Sequence, residues 1–88
     1  MIPEVESVRI VRRKKAAPGK LDARVWIGDA EVVGLAVVET EEVGSPLEGA
    51  TGRTLVRVTM PTGEIRRYLA PTEGVDDSTV AGDVEAVS

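Results

Sequence analysis

The residues best placed to do chemistry in this chain are cationic. Arg12-Arg13-Lys14-Lys15 form a run, with Arg9 just ahead of it, and Arg66-Arg67 form a second pair. Several cations close together gain from phosphate contact through counterion release, and such binding weakens steeply with salt. Arg24 and Arg57 extend the set if their strands share a face, and Trp26 or Tyr68 would offer a base a surface to stack on. The competing reading of the run is a solvated strand end. Trp26 has a competing use as well, since an aromatic with a polar handle suits a subunit interface.

Other chemistry is poorly provided for. The 88 residues contain no His and no Cys, which removes the commonest general base, metal ligand and thiol nucleophile. A hydrolytic pair needs two carboxyls converging across a cleft, whereas Glu41-Glu42 and Asp76-Asp77 are sequence neighbours that read as solvated charge. Asp76, Asp77 and Asp83 lack the ligand alternation and terminal Glu of a calcium loop. Gly44-Ser45-Pro46-Leu47-Glu48-Gly49 lacks the Gly-Lys-Ser/Thr ending of a phosphate-cradling loop. We therefore expect neither an enzyme nor a resident metal or cofactor.

The elements that must carry these side chains read as strands. Val8 and Ile10 alternate with Arg9, Val11 and Arg13. From Leu21 to Ile27 the alternation is cleanest: Leu21, Ala23, Val25 and Ile27 form one face, and Asp22, Arg24 and Trp26 the other. Ala16-Ala17-Pro18-Gly19 is a turn, and Gly28-Asp29-Ala30 makes a hairpin connection with Gly where a type II′ turn wants it. Glu31 to Glu39 is apolar on both faces, as in a covered strand, with Gly34 marking a bulge or close approach. Thr40 to Gly52 reads as an irregular loop. Thr54 to Met60 and Glu64 to Leu69 complete five strands around Pro61-Thr62-Gly63.

After Pro71 the composition changes. Val80, Val84 and Val87 stand at helical spacing, and Asp76, Asp77 or Ser78 can cap a start. The expected organisation is an antiparallel sheet over residues 1–70 and an acidic tail over 71–88 whose short helix packs on the sheet. With no Phe, one Trp and one Tyr, the core is aliphatic and thin. Each such side chain contributes only about 1.5–3 kcal/mol on burial, which favours oligomerisation. Trp26, Val32, Leu35 and Val37 are the residues we expect at that interface.

Net charge is −4, unevenly spread. Residues 1–20 hold six basic side chains against two acidic ones, and residues 71–88 hold five acidic side chains and no base. The two ends can serve partners or attract each other, so net charge by itself does not indicate nucleic acid. Absence of Cys fits a reducing compartment. Neither a basic stretch followed by an apolar core nor a run of membrane-spanning length is present in the sequence, and a soluble, cytoplasmic protein is expected.

A set of segments in fixed order resembles the SpoVG family, small bacterial proteins named for stage V sporulation and septation. They are Val5-Glu6-Ser7-Val8-Arg9-Ile10, Gly19-Lys20-Leu21-Asp22-Ala23, Ile27-Gly28-Asp29-Ala30-Glu31-Val32-Val33, Val58-Thr59-Met60-Pro61, Gly63-Glu64-Ile65-Arg66, Ala70-Pro71 and Ser78-Thr79. The resemblance implies an α+β fold, an antiparallel sheet of about five strands with a short C-terminal helix. It also implies a homodimer and a non-enzymatic regulator that binds DNA or RNA. The loop at Thr40 to Gly52 is longer than the family pattern, and the terminal segment is shorter and acidic. Residues placed at the nucleic acid are Arg9, Arg12, Arg13, Lys14, Lys15, Arg66 and Arg67. The alternative is an oligomeric β module that binds protein as a subunit of a larger assembly.

Overall fold

The structure, a computed structural model, describes residues 2–13, 23–32, 35–43 and 52–81. Its elements are β1 (Val8–Arg13), β2 (Ala23–Ile27), β3 (Ala30–Glu31), β4 (Val37–Val43), β5 (Arg53–Thr59) and β6 (Ile65–Pro71), then a single 3-10 turn (Thr72–Gly74) and β7 (Val75–Val80). The strands of β-branched and alternating sequence form where expected. Glycine at φ 61° starts the two-residue Gly28-Asp29 connection between β2 and β3. A second, Gly63 at φ 91°, lies between β5 and β6, where an L side chain would be strained.

Four expectations are corrected, three in single segments and one in the sheet order. The run Glu31 to Glu39 is not one strand: β3 ends at Glu31 and β4 begins at Val37, with Val32 and Ala36 buried between them. Thr40 to Val43, expected in a loop, continue β4, where Glu41 pairs with Leu55 and Val43 with Arg53. Exposed carboxylates are compatible with an edge strand, because there they face water and discourage pairing with other chains. Residues 75–80, expected to open a helix, are instead strand β7. Val75, Thr79 and Val80 are β-branched and Asp76-Asp77 are poor helix formers, while β1 offers an edge whose backbone groups need partners. The rest of the expected helix, the Pro18-Gly19 turn and Gly34 lie outside the described residues.

Instead of one meander there are two sheets, ordered β3-β2-β1-β7 and β4-β5-β6. Within the sheets the strand pairs are antiparallel except β1 with β7, which run parallel from Val8↔Val75 to Arg13↔Val80; the isolated Glu4↔Leu69 bridge is also parallel. Backbone bonds join the sheets at both sides. Ala23 and Ala36 exchange bonds of 3.2 and 2.9 Å, and Leu69 bonds with Pro3 and Val5 at 2.9 and 2.8 Å. Residues 3–13 thus run alongside β6 and β7 in turn, and the sheets curl into a nearly closed ring. Gly74 permits this. A Cβ there would collide with the backbone carbonyl of Glu6.

Between the sheets lie Val8, Ile10, Ala23, Val25, Val32, Ala36, Val38, Val56, Val58, Met60 and Ala70, flanked by half-buried Tyr68 and Val75. The thin aliphatic core expected from composition is therefore present. Thr54 is the buried polar residue among those described, and its Oγ1 lies 2.9 Å from Thr72 Oγ1. No buried side-chain nitrogen or oxygen among the described residues lacks a partner.

Candidate functional site

Strand alternation sorts the cations before any contact is considered. On the outer face of β3-β2-β1-β7, Arg9 stands opposite Trp26 and Val11 opposite Arg24, while Trp26 is in register with Glu31. Across the parallel pair, Arg9 matches Asp76, Val11 matches Ser78 and Arg13 matches Val80. Side chains in register share a face. The result is a surface on which Arg9 and Arg24 flank Trp26, with Arg13 two residues beyond Val11 on the same face of β1.

The contacts are close. The guanidinium carbons of Arg9 and Arg24 lie 4.8 and 4.7 Å from the centroid of the Trp26 ring, within cation–π range. Arg24 is further fixed by Glu31, donating from Nε to Oε2 at 2.6 Å and from Nη2 to Oε1 at 2.7 Å. Its side chain is only 17 % exposed. Hydrogen bonding from Arg24, reinforced by its charge and opposed by partial burial, holds the Glu31 carboxyl below the usual glutamate range. Val11 lies on this same face and is 1 % exposed, so it is covered there and not presented to solvent. Such a surface offers guanidinium donors to phosphate oxygens and an indole to a flat ring.

The other expected site residues are dispersed. Arg12 points to the opposite side from Arg13 and closes the end of the core, bonding Asp77 at 2.8 and 3.1 Å and donating from Nη1 to the Val38 carbonyl at 2.8 Å. It ties β1 to β7 and to the other sheet. Lys14 and Lys15 lie outside the described residues. Arg66 and Arg67 sit on opposite faces of β6, because neighbours in a strand must. Arg66 donates to Glu64 at 2.9 Å, and this bond, together with one to Tyr68, raises its already high pKa. On the outer face of β4-β5-β6, Glu39, Arg57 and Arg67 form a row. Arg57 is held by Glu39 at 2.5 Å, and Arg67 has no carboxylate partner among the described residues. A shallow depression of about 340 Å³ lies there, lined by Glu39, Thr40, Glu41, Leu55, Arg57 and Arg67.

Of the residues expected at an interface, Trp26 belongs to the cation surface just described. Val32 packs into the core of its own chain, and Leu35 and Val37 are half-buried. Two partners were not anticipated, Glu31 for Arg24 and Asp77 for Arg12. The first was legible: a two-residue hairpin loop puts Glu31 beside Trp26 on the face of Arg24. The second joins residues 65 apart in sequence and had no local signal.

The paired carboxylates split likewise, Asp77 toward Arg12 and Asp76 toward the outer face beside Arg9. Among the described residues no group of three or more His, Cys, Asp or Glu is arranged to hold a metal ion, and no helix is long and apolar enough to cross a membrane. No family model matches the chain, and no curated protein or solved structure is significantly similar to it.

Proposed function

We propose that the protein is a small cytoplasmic regulator of SpoVG-like type that binds DNA or RNA weakly, as a homodimer, without catalysing a reaction. The observation that carries this reading is the convergence of Arg9 and Arg24 over the half-buried indole of Trp26. Cations in that arrangement neutralise phosphates, and the ring accepts a base irrespective of its identity, so single strands are preferred and sequence selectivity is low. Arg13 adds charge farther along the same face of β1, and Lys14 and Lys15, which follow it in sequence, belong to the proposed set. Arg12 contributes to the frame, and Arg66 and Arg67 stand on the other sheet. The test is a titration of mixed-sequence DNA and RNA oligomers at two salt concentrations. Binding at low salt that collapses at high salt is expected; no shift at low salt ends the proposal.

One observation favours a second reading, a protein-binding subunit of a larger assembly. The outer face of β4-β5-β6 presents Ile65, 44 % exposed, in one row with half-buried Val37, and half-buried Leu55 and Leu69 in a second row beyond Arg57 and Arg67. Light scattering separates the two, since a closed higher oligomer with no affinity for oligonucleotides fits only the second.

A further inference from the structure

We infer that Glu31 is an internal stand-in for a phosphate, occupying in the free protein the guanidinium fork of Arg24 that a bound phosphodiester takes over. The inference rests on the nucleic-acid reading above and deepens it. Two carboxylate oxygens meet Nε and Nη2 of Arg24 at 2.6 and 2.7 Å. That is the side-on, two-bond geometry by which arginine also recognises phosphate. The two anions cannot occupy one fork, so binding there is an exchange.

The geometry indicates which group moves. Arg24 is pinned over the indole at 4.7 Å and is largely covered, whereas the Glu31 side chain is 33 % exposed on a two-residue strand. Nor is the carboxylate required to hold that strand in place. Its backbone is already paired through Trp26↔Glu31 and Ile27↔Ala30, and Val32 donates to the Val25 carbonyl at 2.8 Å just beyond it. Arg9, over the same ring, has no carboxylate partner among the described residues. A phosphate chain therefore meets Arg9, with Asp76 beside it on β7, and must displace Glu31 to reach the Nε–Nη2 edge of Arg24. Affinity is held down by design of the face, and the protein discriminates against isolated anions too weak to make the exchange.

The experiment uses the full chain and the fluorescence of Trp26, its single tryptophan. Inorganic pyrophosphate and a short oligothymidylate are titrated into the native protein, E31Q and D29N. Asp29 is an exposed carboxylate of the adjacent turn, so D29N removes the same charge without freeing the fork. For E31Q, tighter binding of both probes is expected, by about two- to fivefold, the equivalent of one surface ion pair. The salt dependence for the oligonucleotide also steepens by close to one phosphate contact. Equal gains in D29N, or none in E31Q, overturn the inference. Native protein that fails to bind oligothymidylate at low salt overturns the nucleic-acid reading instead, while pyrophosphate still decides the exchange. If circular dichroism shows E31Q unfolded, E31D, whose carboxylate is withdrawn by one methylene, replaces it, and absence of any gain in E31D is then decisive against the inference.

Discussion

An arginine in this protein is defined by what its guanidinium meets, and neighbouring arginines meet different things. Arg12 and Arg13 were read from sequence as one basic run, yet period-two geometry sends them to opposite faces, as it does Arg66 and Arg67. The alternation that separates them is present in the sequence of each strand. Missing was the distant partner that turns Arg12 into part of the frame. Arg12 satisfies Asp77 and a part-buried carbonyl of Val38 with three bonds, whereas Arg57 and Glu39 pair on an open face. Hydrogen bonds to charged groups contribute about 1.5–3 kcal/mol, and exposed ion pairs about 0–1. With roughly a third of the Arg12 and Asp77 side chains exposed, the lower end of the first range applies. R12A is thus expected to lose about 1–2 kcal/mol in urea denaturation and R57A less than about 0.5 kcal/mol. Equal losses would mean that the Arg12 cluster is ordinary surface charge.

At the scale of elements, the sequence revealed strands better than their company. β1, β2, β5 and β6 lie where alternation placed them, since each has one apolar face that must be buried. The mistaken segments are those whose local pattern conflicts with their tertiary partner. The carboxylates of Glu41 and Glu42 hide the continuation of β4 past Glu39, and valines at helical spacing hide β7. In both cases an available backbone edge outweighed local preference. The turn that delivers β7 to β1 depends on Gly74, a residue with no sequence-level mark of its importance. Its missing side chain is the reason Glu6 can approach, and a methyl group there must push backbone apart. G74A is expected to destabilise by about 1–3 kcal/mol, the usual cost of overpacking that shifts the main chain. Thermal melts check this, and an unchanged midpoint would show that the β6–β7 bend relaxes freely.

For the whole molecule, the question is what lets a chain without Phe or Cys hold two small sheets together. The core supplies only aliphatic side chains, and a domain of this size has a margin of roughly 3–5 kcal/mol. Against that margin, β7 matters greatly. Its six residues pair with β1, Val75 packs on the core, and Asp77 holds Arg12, so its removal uncovers a strand edge and strips the arginine clamp together. Backbone hydrogen bonds at about 0.5–1.5 kcal/mol each make the combined loss comparable to the entire margin. A chain stopped after Gly74 is therefore expected to lose cooperative unfolding altogether, while D77N, which removes the clamp but keeps the strand, retains it with a lowered midpoint. Excess synthetic peptide of residues 75–88 should restore β-sheet circular dichroism to the shortened chain, because strand addition to an open edge needs no covalent link. Were the shortened chain to melt cooperatively at the midpoint of the full one, the ring would be dispensable, and stability would reside in the β4-β5-β6 meander and the β1–β2 hairpin without closure.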